Sequence, residues 1–299
     1  MSEYHNPVML NECLEGLNID PNGSYVDVTF GGGGHSKAIL DRLEQGRLFA
    51  FDQDKDANKN APDDSRFLLI NKNFRYLKNF LKFYKGIPAD GILADLGVSS
   101  HQFNSPERGF SIRFEGDLDL RMNQELEISA ADVVNDYAQE DLIRIFKQYG
   151  ELKNAFKISE LIIKARSEAR IETTKGLMEV ISKLAPRNKE NKFYALVFQA
   201  LRIEVNEELE VLKQMLEQAV QVLKPGGRLV VMSYHSLEDR LVKNFFRSGN
   251  FEGVIEKDFY GNVISPLKVI SRKAIVPTEE EVAINSRARS AKLRIAEKI

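Results

Sequence analysis

The chain has 299 residues, enough for one large or two ordinary domains, and its 43% hydrophobic and 29% charged content is that of a folded globular protein. A formal net charge of -2 excludes a global basic field, though not a local basic face. Cys13 is the single cysteine, and His5, His35, His101 and His235 lack metal-ligand spacing, so neither a disulfide framework nor a metal site is expected.

The N-terminal segment has no apolar run of signal-peptide length, and no later stretch approaches the ~20 apolar residues of a membrane span. A cytoplasmic protein without membrane attachment is therefore expected. Val8 to Leu17 is predicted to form a short lead-in helix, stopped by Asp20-Pro21-Asn22-Gly23.

Ser24 to Asp54 organises the rest of the chain. Tyr25, Val26 and Val28 are strand formers, Gly31 to Gly34 form a turn, Ser36 is the expected cap of a helix through Ala38 and Ile39, and Leu48 to Phe51 is a second strand closed by Asp52. Free N–H groups at that helix start suit an anionic group. The Asp52 carboxylate, 21 residues after Gly31, suits a ribose diol. A dinucleotide fingerprint fails, because Ser36 or Lys37 stands where the third glycine belongs. The pattern present, D-x-x-x-G-x-G-G from Asp27 to Gly34, resembles the first motif of class I S-adenosylmethionine (SAM) methyltransferases.

Arg66 to Asn71 reads as a third strand, followed by Asn73-Phe74. Phe74 is placed where such folds put residues near an adenine, but its residue-level reading is a core aromatic anchoring the helix of Leu77, Phe80 and Leu81. Ala89 to Val98 is a fourth strand, almost wholly apolar as a buried parallel strand should be, and it carries Asp95 to the strand's carboxyl end. Ser105 to Asn123 is aperiodic and rich in Arg and Asp; Arg108, Arg113 and Arg121 are either substrate contacts or partners of Asp117 and Asp119.

From Ile128 to Pro186 the pattern is helical throughout, with three amphipathic periods at Leu142–Tyr149, Ile158–Ala165 and Leu177–Leu184. Phe198 to Leu223 is predicted as one long helix ended by Lys224-Pro225-Gly226-Gly227. Arg228 to Ser233 follows as a strand with Tyr234-His235 at its end and Ser236 as the next helix cap. In the tail, Lys268–Ile270 and Ala274–Val276 are predicted to pair as closing strands. A basic loop at Arg287, Arg289 and Lys292 leads into a last strand, Leu293 to Ala296. The fold class is thus α/β, a Rossmann-like sheet with an inserted all-helical domain. The expected organisation is 1-124 as the first part of a methyltransferase domain, 125-196 as an inserted helical, substrate-recognising domain, and 197-299 as the second part.

Taken together, HNPVML (5–10), DVTFGGGGHS (27–36), DGILADLGVSS (90–100), ERGF (107–110), LDLRM (118–122), FQALRIEVN (198–206), SYHSLEDR (233–240) and RARSAKLR (287–294) resemble one family. It is the bacterial SAM-dependent family that methylates N4 of a cytosine in small-subunit (16S) ribosomal RNA, the RsmH/MraW family. The resemblance implies SAM as cofactor and small-subunit ribosomal RNA as partner. It also implies cofactor contacts at Gly33, Gly34, His35, Asp52, Phe74, Asp95 and Gln102. Departures occur at His101, Leu120 and Ser286 and in the segment before Phe198, on the substrate side of the pattern. Asp95 is a candidate to accept the amine hydrogen bond and His235 to take the proton, and no catalytic base is assigned. The alternatives from the residues are an NAD-type oxidoreductase and a non-catalytic RNA-binding or assembly protein with a degenerate SAM pocket. The oligomeric state is left open, a homodimer included.

Overall fold

The computed structural model describes residues 7–299, so His5 and Asn6 of the N-terminal motif lie outside the described residues. The chain separates into two compact units, Met1–Gly97 with Leu209–Ile299, and Val98–Glu208. In chain order the elements are α1 (Leu10–Leu17), β1 (Ser24–Asp27), α2 (Gly34–Leu40), β2 (Arg47–Phe51), β3 (Phe67–Ile70), α3 (Leu77–Phe83) and β4 (Ala89–Asp95). Then come α4 (Ser100–Asn104), α5 (Ala130–Asp136), α6 (Gln139–Gln148), α7 (Ala155–Arg166), α8 (Thr174–Ile181) and α9 (Glu190–Asn206). The chain closes with α10 (Glu208–Val222), β5 (Leu223–Ser233), α11 (Ser236–Ser248), β6 (Leu267–Val269), α12 (Glu279–Ile284) and β7 (Lys292–Lys298).

The first unit is built on a seven-stranded sheet in the order β3-β2-β1-β4-β5-β7-β6. The pairs from β3 to β5 are parallel, and β7 runs antiparallel to both β5 and β6. Strand alternation divides its apolar residues between two layers. Leu229 and Val231 of β5 join Leu77 and Leu81 of α3, Leu212 and Leu216 of α10, and Val242 and Phe246 of α11. Val230 and Met232 face the other way, toward Leu14 and Leu17 of α1 and Ile39 and Leu40 of α2. With both faces covered, central strands can be apolar at every position, which is why β4 reads as a continuous run. The strand order reverses between β1 and β4, and open α/β sheets bind ligands at the carboxyl ends flanking such a reversal.

The second unit has its own core, with Leu142, Ile145 and Phe146 of α6 against Ile158 and Ile162 of α7, Leu177 of α8 and Val197 and Leu201 of α9. It contains α5 besides the three periodic helices. At seven residues α5 is too short to display a period; a reciprocal cap between Ser129 and Asp132 starts it.

Several expected boundaries differ. The predicted helix Phe198–Leu223 is two helices, broken at Glu207, whose φ of 51° is left-handed. The cause is Asn206, which accepts from the Met122 N–H (2.7 Å) and donates to the carbonyls of Leu120 (2.7 Å) and Arg202 (2.9 Å). Lys224-Pro225-Gly226-Gly227 does not stand outside the strand; β5 begins at Leu223 and carries these residues as a bulge between its pairings with Ala89 and Gly91. The expected tail pair does not form. β6 pairs with β7, and Ile275 makes only a single bridge, to Leu293.

Candidate functional site

The carboxyl ends of β1, β2 and β4 are held together by buried polar contacts. Asp27, 1% exposed, accepts hydrogen bonds from the Thr29 N–H (3.0 Å) and hydroxyl (3.3 Å) and from the Ser36 hydroxyl (2.7 Å). Ser36 is therefore not the helix cap expected of it. Gly33 occupies that position at φ 78°, and the serine hydroxyl is drawn instead to a carboxylate that burial would otherwise leave short of donors. Thr29 also accepts from the Asp95 N–H at 2.7 Å, so one side chain ties the end of β4 to the glycine turn. A D-x-T turn signals its own backbone bond, but not the reach across to β4.

Two of the turn's glycines are constrained. At Gly33 the left-handed φ disfavours a side chain, and a Cβ would also meet the Phe30 ring at 3.0 Å. At Gly34 a Cβ would stand 2.5 Å from Cγ of Pro7. His35 is 7% exposed and its Nε2 lies 3.0 Å from the Val8 carbonyl, which assigns the proton to Nε2 and turns Nδ1 toward Asp95 Oδ2 at 3.7 Å.

Asp52 is the acid after β2. Its Oδ2 accepts from the Gly31 N–H and its Oδ1 from the Asp54 N–H, both at 2.8 Å. Burial pushes its pKa up to about 6 against the pull of those two N–H groups, and the charges of Asp54 and Asp27 add to the rise. A carboxylate oxygen can accept about two hydrogen bonds. One acceptor position on each oxygen is thus left for a further donor, which suits two adjacent hydroxyls. Asn73 Nδ2 donates to Gln53 Oε1 at 2.8 Å and brings the segment after β3 beside the segment after β2. Phe74, next in sequence, is half-buried and packs against the core layer that includes α3.

Asp95 at the end of β4 accepts from the Tyr234 hydroxyl at 2.8 Å. Burial raises its pKa to about 6, opposed by His35 and by the tyrosine hydrogen bond. The Tyr234 phenol is itself pushed well above its usual range by burial and by the Asp95 charge. His235 does not point into this cluster as a free base. It is the N-cap of α11, where its Nδ1 accepts from the Glu238 N–H at 3.4 Å, Glu238 Oε2 accepts from its own N–H at 3.3 Å, and its Nε2 stands 3.2 Å from Glu238 Oε1. The cap expected at Ser236 falls one residue earlier, at His235.

Gln102 belongs to the second unit. It is 5% exposed, and its Oε1 accepts from the Ser99 N–H at 3.1 Å in a reciprocal cap that starts α4. Arg108, expected as a substrate contact or an internal ion-pair partner, is 2% exposed and holds the carbonyls of Arg121 and Met122 at 3.0 Å. Arg121 pairs with Asp119 at 2.6 Å, the internal pairing named as its alternative, whereas Arg113 is exposed. Lys292 is engaged with Asp239 at 3.2 Å, and Arg289 is exposed.

The strand order, the antiparallel β7 and the glycine turn beside an acid at the end of β2 define a class I methyltransferase fold. The chain belongs to the MraW methylase family, whose pattern matches residues 2–299. The ribosomal RNA small subunit methyltransferase H of Flavobacterium johnsoniae is 59% identical to it over 298 residues, covering 99% of this chain and 98% of that protein. The proteins of the same name from Parabacteroides distasonis and Phocaeicola vulgatus are 58% and 59% identical over 99% of this chain, with 98% and 97% of their own lengths matched.

Proposed function

We propose that the protein transfers a methyl group from SAM to the exocyclic N4 of a cytidine in small-subunit (16S) ribosomal RNA, in the cytoplasm. The observation that carries the cofactor half is Asp52, a carboxylate pinned by two backbone N–H groups with one acceptor position open on each oxygen, beside a turn of glycines. That arrangement fits a ribose diol. Full-length kinship with ribosomal RNA small subunit methyltransferases supports the acceptor half. An NAD-type oxidoreductase is disfavoured by the same kinship and by the absent third glycine.

SAM supplies an electrophilic methyl on a sulfonium, so the protein's contribution is chiefly to position and to exclude water. Asp52 takes the ribose hydroxyls. Gly33, Gly34 and His35 form the wall against which the cofactor lies, and glycine is needed at the first two because a Cβ would run into Phe30 and Pro7. Phe74 offers the exposed part of its ring to the adenine. Asp95, oriented by Tyr234 and Thr29, presents a carboxylate at the end of β4 to the cofactor's methionine part. Gln102 is a further cofactor contact implied by the family resemblance, and the inserted helical segment 125–196 recognises the RNA. No side chain is assigned as base: an N4 that has just gained a methyl carries a positive charge and loses its proton readily. The test is labelled-methyl transfer to unmethylated small ribosomal subunits, followed by nucleoside analysis. N4-methylcytidine is the expected product; label on another position, or none, overturns the proposal.

A further inference from the structure

Lys243 and Arg247 stand one turn apart on α11, exposed and without an ion pair among the described residues. Arg272, three residues beyond β6, is likewise exposed and unpaired among the described residues. Arg294 of β7 completes the group. Its neighbours Leu293 and Ile295 face the α1 and α2 layer, so alternation puts Arg294 on the α11 side, where its Nε donates to Asp239 Oδ1 at 2.7 Å. These four cations line one groove of about 360 Å³ whose apolar lining includes Phe246 and Val269, and no carboxylate among the described residues lines it. Asp239 is shared between Arg294 and Lys292, which leaves Lys243, Arg247 and Arg272 of the groove without an ion pair among the described residues, in a chain whose net charge is -2.

Crowding like charges costs free energy unless something neutralises them. Apart from Asp239, which is taken up by Arg294 and Lys292, no carboxylate among the described residues of the first unit pairs with Lys243, Arg247 or Arg272, and guanidinium forks match phosphate oxygens. The groove lies at the β7–β6 end of the sheet, on the face covered by α10 and α11, whereas α1 and α2 cover the other face. From β4, where Asp95 marks the reacting end of the cofactor, to β6 there are three strand steps, roughly 14 Å at the usual spacing. A substrate that reaches both this groove and the reacting centre must extend over several nucleotides' worth of backbone, which an RNA does. We propose that the groove is a second RNA contact, holding backbone phosphates of the substrate away from the nucleotide being methylated. This rests on the RNA methyltransferase function proposed above.

The test compares the full-length protein with the triple variant Lys243→Gln/Arg247→Gln/Arg272→Gln and with the charge-preserving triple Lys243→Arg/Arg247→Lys/Arg272→Lys. Probes are unmethylated small ribosomal subunits and a single-stranded RNA oligonucleotide. Removing three phosphate contacts should lower the slope of log Kd against log salt by about 2 for single-stranded RNA. The neutral triple should raise KM for subunits roughly tenfold or more at moderate salt, with kcat and SAM affinity unchanged, while the charge-preserving triple should restore most of the binding. An unchanged salt slope and KM in the neutral triple would overturn the proposal, leaving the cations as a solvated face. Equal loss in both triples would overturn it too, since charge would then not be the cause. If the unaltered protein methylates no subunits at all, it is the function that fails, a result separable from either of these.

Discussion

Asp52 makes the sharpest quantitative demand on the cofactor site. Each of its oxygens already accepts one backbone N–H, and each has one position left. Asp52→Asn replaces one oxygen by an amide that must face the Gly31 or the Asp54 N–H, and it removes the charge from any bond to a ribose hydroxyl. Charge-assisted hydrogen bonds contribute about 1.5–3 kcal/mol, so SAM affinity at pH 7.5 should fall roughly ten- to a hundredfold. Because burial places the pKa at about 6, the carboxylate is almost fully ionised at pH 7.5. At pH 5 only about one molecule in eleven is ionised. If the ionised form binds, Kd should rise about tenfold between pH 7.5 and 5. Calorimetric titrations across that range, on the unaltered protein, Asp52→Asn and Asp95→Asn, separate the two acids that titrate near 6. Asp52→Asn should lose the Asp52 part of the pH dependence, and Asp95→Asn should keep it. Wild-type affinity in Asp52→Asn, or a pH profile unchanged by it, would refute the assignment.

For folding stability the sign is opposite. A carboxyl whose folded pKa is raised favours the folded state at low pH, so the contributions of Asp52 and Asp95 should be present below about pH 4 and lost as pH rises through about 6, measurable by urea unfolding of ligand-free protein. Ser36→Ala removes a donor from the buried Asp27 carboxylate and should cost about 1–3 kcal/mol by the same assay. Asn206→Ala cuts the ties to Met122 and Leu120 and should cost about 2–4 kcal/mol, with SAM affinity within roughly twofold. Tyr234→Phe takes away a hydrogen bond that favours ionised Asp95, so the Asp95 titration followed by carboxyl NMR should move above about 6; a downward shift would contradict the role given to the tyrosine.

The sheet was legible because its signal is local. Leu48–Phe51 and Ala89–Asp95 are apolar runs that lead into an acid, and burial on both faces demands that composition. The glycine turn was legible for the same reason, since D-x-x-x-G-x-G-G compresses a strand end, a turn and a helix start into eight residues. What stayed hidden depends on partners distant in sequence. Ser36 has the composition of a cap, and only the fold shows that a buried carboxylate nine residues earlier claims its hydroxyl. The apolar period runs unbroken from Leu201 to Leu223, because both α9 and α10 bury a face; the break at Glu207 is set by Asn206 reaching residues more than 80 positions away. Arg108 looks like a surface cation in sequence, yet two backbone carbonyls hold it buried. Only spatial clustering reveals the groove cations, since Lys243 and Arg294 are far apart in the chain and share no motif.

The claim on which the rest depends is that the ends of β1, β2 and β4 hold SAM. The most direct measurement is a crystal structure of the protein grown with S-adenosylhomocysteine. The expected result has both ribose hydroxyls on the Asp52 carboxylate, the adenine beside Phe74 and the homocysteine part between the Gly33–His35 turn and Asp95. A ribose bound elsewhere, with Asp52 still facing only the Gly31 and Asp54 N–H groups, would contradict it.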